Sequence, residues 1–358
     1  MKATHDTYII AEAGVNHNGD HQKAFDLVDA AAAAGVDAIK FQTFNARRLA
    51  ASTAPKAIYQ QRTTKADQSQ VDMLEALELP LEWHAPLQAH AHKLGIEFLS
   101  TAFDTQSLAF LETLNLPFYK VPSGELTNGP LLWAFGQTGR SLVISTGMAT
   151  LSEVEQGLAV VCHAINHSQW PRSLNEVWQC WCEPKARAAL AERVSLLHCT
   201  SQYPTQWQEV NLRAMDTLVE AFGLPVGYSD HTQGTIIPVA AVSRGAKIIE
   251  KHFTLDRQLP GPDHMASLEP KELERMVQEI RAVGLALGDG RKVPQASEWD
   301  TRHVARQMLV AGAAIRKGEP FNEENLTTAR IGAGELAIGF WDRLGQIATR
   351  DYQAGDAL

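Results

Sequence analysis

Val226-Gly-Tyr-Ser-Asp-His-Thr232 and Ile248-Ile-Glu-Lys-His-Phe-Thr254 are short apolar runs, each ending in a polar cluster that contains a histidine. Runs of this length, rich in β-branched and aromatic residues, read as buried strands. Set side by side as parallel strands, they bring His231 and His252 out at one rim, where two imidazoles can share a divalent metal ion.

The same cadence recurs along the chain. Helical stretches end in glycine at Gly35, Gly95, Gly139, Gly223 and Gly245, and an apolar run begins within three residues of each. Strands are expected at Tyr8–Ala13, Ala38–Phe44, Glu97–Thr101, Phe118–Val121, Leu142–Thr146, Val194–Thr200, Pro225–Asp230 and Ile248–Phe253. Eight strands separated by helical stretches are the pattern of a (β/α)8 TIM barrel. Polar residues concentrate at the C-terminal strand ends, which in a barrel form a single mouth: Glu12, Lys40 and Gln42, Thr101, Lys120 and Ser123, Ser145, Thr200 and Ser201, Ser229 to His231, and His252. An open, doubly wound sheet needs fewer polar strand ends and ranks second.

Two regions break the rhythm. The stretch near Asn166–Arg187 carries Trp170, Trp178 and Trp181, and reads either as a partner surface or as an insertion with a small core of its own. After Leu287-Gly-Asp-Gly290 the texture changes. The barrel is therefore assigned to residues 1–290, a polar linker with Pro294 to 291–301, and a loop-rich, β-type appendage to 302–358.

Composition narrows the classes of function. With 358 residues, 45% hydrophobic and 20% charged, the chain can bury a large core. No apolar run reaches the ~18 residues of a membrane span, and Met1–Asp6 leads straight into a strand. Neither a membrane segment nor a signal peptide is expected, and a cytoplasmic location follows. The net charge of -9 argues against nucleic acid and anionic membrane as partners, but leaves room for a small anionic substrate. Cys162, Cys180, Cys182 and Cys199 read as free thiols, since Cys180-Trp-Cys182 lacks the spacing of a metal or redox pair.

Eight segments, in order, resemble the sialic acid synthase family, whose members condense phosphoenolpyruvate with an N-acylated amino sugar. They are Ile10-Ala-Glu-Ala-Gly-Val-Asn-His-Asn-Gly19, Ile39-Lys-Phe-Gln-Thr43, Tyr119-Lys-Val-Pro-Ser-Gly-Glu125, Ser145-Thr-Gly-Met148, Leu197-His-Cys-Thr-Ser-Gln-Tyr-Pro204, Tyr228-Ser-Asp-His-Thr232, Glu250-Lys-His-Phe-Thr254 and Pro260-Gly-Pro-Asp263. The resemblance implies that His231 and His252 hold manganese or magnesium. Lys40 and Lys120 stand in otherwise apolar strands, where an unpaired ammonium is costly, and a bound anion would account for them. Internal pairing with Glu12 or Glu125 is the alternative.

By the same resemblance, Thr101, Ser123, Ser145, Ser201 and Ser229 fall at phosphoenolpyruvate contacts, although some family members have asparagine where Ser201 stands. Glu125 is implied to direct the attacking water. Glu12 and Asp263 match positions touching the amino sugar or the metal's surroundings, and Gln42 and Tyr203 fall at substrate positions. His17 reads as a loop residue near the sugar. The tail resembles the antifreeze-like (SAF) domain of such synthases. Its Arg330 matches an arginine that crosses a domain-swapped homodimer, with Ile331 replacing the usual proline and leaving that loop less stiff.

The reading favoured by the sequence is an N-acetylneuraminate synthase acting on N-acetylmannosamine. Alternatives are a legionaminic or pseudaminic acid synthase using a 2,4-diacetamido-2,4,6-trideoxyhexose, and a synthase of shorter keto acids acting on a phosphorylated sugar. The last lacks such a tail and calls for more arginines at the rim. A glycan- or ice-binding protein is the contrasting class, but it would give buried lysines and a histidine pair no purpose.

Overall fold

In the computed structural model, which describes residues 7–57, 60–61 and 69–358, all eight expected strands form. Residues 1–6, on which the expectation of no signal peptide rests, lie outside these. The strands are β1 (Tyr8–Gly14), β2 (Ala38–Thr43), β3 (Glu97–Ala102), β4 (Phe118–Val121), β5 (Ser141–Ser145), β6 (Val194–Cys199), β7 (Val226–Asp230) and β8 (Ile248–His252). They pair in parallel in the order β3-β2-β1-β8-β7-β6-β5-β4, and β3 packs beside β4 to close the cylinder.

Strand alternation divides each run between two environments. Outward residues such as Ile9, Ala11, Ile39, Phe41, Phe98, Tyr119 and Ile249 join the core beneath the surrounding helices. Inward residues make a separate small cluster of Ile10, Ala38 and Leu99, with Tyr8, Phe118 and Ile248 packed against it. That cluster plugs the bottom of the barrel. Two residues further along β1, β2, β4 and β8 the inward side chains are Glu12, Lys40, Lys120 and Glu250, so the polar layer rests directly on an apolar floor.

The glycines that end the helices all take positive φ, between 64° and 95°, which a Cβ would oppose. Asp20 caps the first helix, His21–Ala33, and Thr150 with Glu153 forms a capping box on Leu151–Asn166. The tryptophan-bearing stretch forms two helices, Leu174–Cys182 and Pro184–Ala191, that lie against Leu151–Asn166. Cys180, Ala186 and Leu190 join the barrel's own core. Trp181 Nε1 donates to Glu155 Oε1 at 3.1 Å, and Trp170 stacks on Trp133 with ring centroids 5.8 Å apart. The insertion is thus fastened to the barrel and has no separate core. All four cysteines are free. Among the described residues no helix is long and apolar enough to cross a membrane.

The chain divides into two compact units, Met1–Gly288 and Asp289–Leu358. In the second, β9 (Met308–Ala311) pairs antiparallel with β10 (Leu326–Ala329) over a core of Leu309, Ala311, Ile315, Phe321, Leu326, Ala348 and Tyr352. The stretch read as a linker contains the 3-10 turn Ala296–Glu298 and the start of a helix, Trp299–Ala305.

Candidate functional site

The barrel mouth holds a cavity of about 610 Å³. It is lined by Glu12, Lys40, Gln42, Thr101, Lys120, Ser123, Glu125, Ser145, Ser201, Tyr203, Ser229, His231, His252 and Asp263. Of the site residues expected in the barrel, all but His17 are therefore brought to one place. Arg330 belongs to the other compact unit, where it follows β10 and is exposed.

Two ammonium groups and two carboxylates form the floor. Lys40 Nζ lies 2.6 Å from Glu12 Oε2, donates to Thr101 Oγ1 at 2.8 Å, and stands 3.7 Å from Glu250 Oε2. Lys120 Nζ is 3.3 Å from Glu250 Oε1, which also accepts from Ser229 Oγ at 3.0 Å. Gln42 Nε2 donates to the other oxygen of Glu12 at 3.2 Å. Of the two accounts of the lysines, the internal pairing is present: Lys40 pairs with Glu12, one of the two partners named for it, Lys120 pairs with Glu250 and not with Glu125, and Thr101 is engaged by Lys40. Glu250 was not expected as a site residue. It is two residues before His252 on the same strand, so the alternation that turns His252 inward turns Glu250 inward as well, and that was the signal available.

The two carboxylates differ because they face different numbers of cations. Burial, only partly offset by Lys40 and reinforced by Glu250, lifts Glu12 to about 7. Burial also works to raise Glu250, but Lys120, Lys40 and His252 outweigh it and hold it at about 2. Burial disfavours the Lys40 ammonium, yet Glu12 and Glu250 keep its pKa above the ordinary value. At neutral pH the floor carries two ammonium charges against one full carboxylate and one titrating group. An entering anion meets a preponderance of positive charge.

Beside this floor, where His252 pairs in register with Glu12, His231 and His252 have ring centroids 5.4 Å apart, and Tyr203 lies 4.1 Å from the first and 5.5 Å from the second. Burial holds His231 at about 4, and His252 well below the usual histidine value, with His231 contributing, so both rings are neutral at pH 7. His231 Nδ1 is 2.6 Å from the Thr200 carbonyl oxygen. That contact fixes the proton on Nδ1 and leaves Nε2 with a free lone pair, the tautomer a metal ligand needs. His252 Nδ1 is buried without a hydrogen-bond partner among the described residues, and Asp263 Oδ2 stands 3.9 Å from it. Burial raises Asp263 to about 6. These neutral donors fit a divalent cation. Among the described residues no group of three or more His, Cys, Asp or Glu side chains gathers to hold one, so an ion here would complete its shell with substrate oxygens and water.

The hydroxyls fall into two kinds. Ser123 Oγ is 3.1 Å from Cys199 Sγ and accepts from the Gly147 N–H at 3.0 Å. Ser145 Oγ is buried with no hydrogen-bond partner among the described residues, a donor held ready for a ligand oxygen. Glu125 accepts from Asn128 Nδ2 at 2.7 Å and is half-buried, open to solvent water at the mouth. His17, expected near the sugar, is fully buried with Nδ1 accepting from the Gly19 N–H, and it does not line the cavity.

Comparison with known proteins gives a consistent picture. A model described as the NeuB family matches residues 27–292. The chain is 45% identical over 352 residues to the N,N'-diacetyllegionaminic acid synthase of Campylobacter jejuni, covering 98% of each. It is 43% identical over 351 residues to the protein of that name from Legionella pneumophila, covering 98% of this chain and 93% of the relative. The solved structure of an N-acetylneuraminic acid (sialic acid) synthetase from Leptospira borgpetersenii, in complex with citrate, matches with a TM-score of 0.68 at 33% identity, over 83% of this chain and 90% of that one.

Proposed function

Since the chain belongs to the NeuB family of sialic-acid-type synthases, we propose that it joins phosphoenolpyruvate to the aldehyde of a 2,4-diacetamido-2,4,6-trideoxyhexose, giving a nine-carbon 2-keto-3-deoxy acid of the legionaminic type and inorganic phosphate. The sequence alone favoured N-acetylmannosamine as acceptor. The likeness to two legionaminic acid synthases over nearly the full length of the chain moves the preference to the diacetamido sugar. The observation that carries the reaction type is the single cavity in which Lys40, Lys120, Glu12 and Glu250 stand beside the neutral pair His231 and His252.

Lys40 and Lys120 hold the phosphate and carboxylate of the donor, whose desolvation they offset. Ser123, Ser145, Ser201, Ser229 and Thr101 supply hydrogen bonds around them. Glu12, titrating near neutrality beside Lys40, can keep a proton when the anionic donor enters, so the site does not accumulate uncompensated negative charge. His231 and His252 would hold a divalent cation, Mn2+ or Mg2+, which when bound supplies Lewis acidity toward an aldehyde oxygen. C3 of the donor forms a bond to the aldehyde carbon, and the oxygen freed of its π bond takes a proton to become a hydroxyl. Glu125 directs water to the resulting cationic C2. The C2–O bond to phosphate then breaks, leaving the ketone. Gln42, Tyr203 and Asp263 orient the sugar.

The test is phosphate release from phosphoenolpyruvate with Mn2+ and a panel of 2,4-diacetamido-2,4,6-trideoxymannose, its pseudaminic-type stereoisomer and N-acetylmannosamine. One phosphate per acceptor consumed is expected with the first. No release with any of the three overturns the reaction.

A further inference from the structure

The cavity's surfaces differ in chemistry. Its charged floor comes from the strand ends, whereas a further stretch of its wall comes from residues that follow β2 and is largely apolar: Phe44, Leu49, Ala50, Met73, Leu74 and Leu77 line it. Phe44, Met73 and Leu77 are buried in a small cluster of their own, with Leu49 and Leu74 packed against it, so the wall is dry behind its surface. Two polar side chains, Gln60 and Gln70, interrupt it. Gln70 lines the same cavity and buries an amide oxygen that has no hydrogen-bond partner among the described residues. A primary amide offers a donating and an accepting end. Whichever way it is turned, it matches an acetamido group, which presents one N–H and one C=O.

We infer that this apolar wall and Gln70 select the acceptor, the wall receiving the C6 methyl group of a 6-deoxy sugar while Gln70 pairs with the acetamido group at C4. This rests on the reaction proposed above and specifies how its second substrate is read. The anionic donor takes the charged floor, and the acceptor's aldehyde must face the donor's C3. The far end of the sugar, C4 to C6, is then turned toward the wall. A methyl group there leaves water at no polar cost, whereas a C6 hydroxyl would lose its hydrogen bonds without replacement.

The experiment compares kcat/KM for phosphate release by the full chain with three acceptors. These are 2,4-diacetamido-2,4,6-trideoxymannose, 2-acetamido-2,6-dideoxymannose, which has a C4 hydroxyl, and N-acetylmannosamine, which has hydroxyls at C4 and C6. The wild-type protein should favour the 6-deoxy over the 6-hydroxy sugar by roughly 10–100-fold, the range set by a hydroxyl facing an apolar pocket. Leu74→Gln should bring that ratio to within about threefold, a difference of well under 1 kcal/mol. Gln70→Leu should instead remove the preference for the C4 acetamido group and keep the preference for the methyl. Thermal unfolding verifies that the variants are folded, and Leu49→Gln reads the same ratio should Leu74→Gln not fold. Folded variants that keep the wild-type ratios, or a wild-type protein that uses the three sugars equally, overturn the inference while the reaction stands. A wild-type protein that releases phosphate with none of them overturns the reaction, and the inference with it.

Discussion

Glu250 illustrates what single side chains contribute beyond their motif. Its carboxylate is the only one of the floor pair held fully ionised, and it serves Lys120, Lys40 and Ser229 at once. Glu250→Gln should leave two buried ammonium groups with only Glu12 between them, a loss of roughly 3–5 kcal/mol as for other broken buried pairs. Guanidinium unfolding would measure it. A variant within about 1 kcal/mol of wild type would mean that solvent or a rearranged Glu12 already compensates the lysines. Removing Glu250 also removes one cause of the raised Glu12 value, so the carboxyl of Glu12 should titrate lower in the variant. A second prediction concerns the imidazoles. His252→Ala should abolish phosphate release and bound manganese while leaving the thermal midpoint nearly unchanged; retained metal would remove His252 from the ligand set. Motif residues such as His231, His252, Lys40 and Ser145 were legible in the sequence because their types are rare in apolar strands. The pairing of Lys40 with Glu12 was legible only as an alternative, since the two lie on separate strands and only the β1–β2 register sets them opposite one another.

Elements were the most legible level, because two physical punctuations coincide: a glycine at positive φ ends each of several helices, and alternating apolar residues begin the next strand. The strand bounds agree with expectation to within one residue. Less legible were the helices of the tryptophan-bearing stretch, whose buried side is supplied by another helix and so leaves no signature of its own. Gly227 marks the tightest point of the sheet. A Cβ there would lie 2.3 Å from the Ile248 carbonyl oxygen and 2.7 Å from Leu197 Cδ2, so β7 can run between β6 and β8 only without a side chain. Because neither a backbone carbonyl nor an interior leucine can step aside freely, Gly227→Ala should cost about 3 kcal/mol or more. It should also disturb the spacing of His231 and His252, which end the two strands concerned. The checks are a lowered thermal midpoint together with weakened manganese binding; a variant with wild-type midpoint and metal affinity would show that the strands can part without consequence.

At the scale of the whole molecule, the distribution of buried titratable groups sets how the fold responds to acid. His17, His84, His231 and His264 are each held by burial at about 4, and His252 well below its usual value. In the unfolded chain each takes up a proton near 6.5, before the folded form can, so the stability they contribute is complete above that pH and is lost as pH falls toward 4. Two carboxyls act oppositely. Glu12 at about 7 and Asp263 at about 6 keep protons in the fold that the unfolded chain has released, so they favour folding as pH falls through those values. Between pH 6.5 and 4.5 the five histidines outnumber the two carboxyls. Glu250, whose depressed value matters only below about 4.5, joins the loss at the acid end. Unfolding at pH 5.5 should therefore take up protons, and the thermal midpoint should fall steadily from pH 7 to 4.5. Calorimetry in buffers of differing ionisation enthalpy reads the proton uptake directly. A midpoint that stays level or rises over that interval would mean that the site carboxyls, and not the buried imidazoles, govern the fold's response to acid.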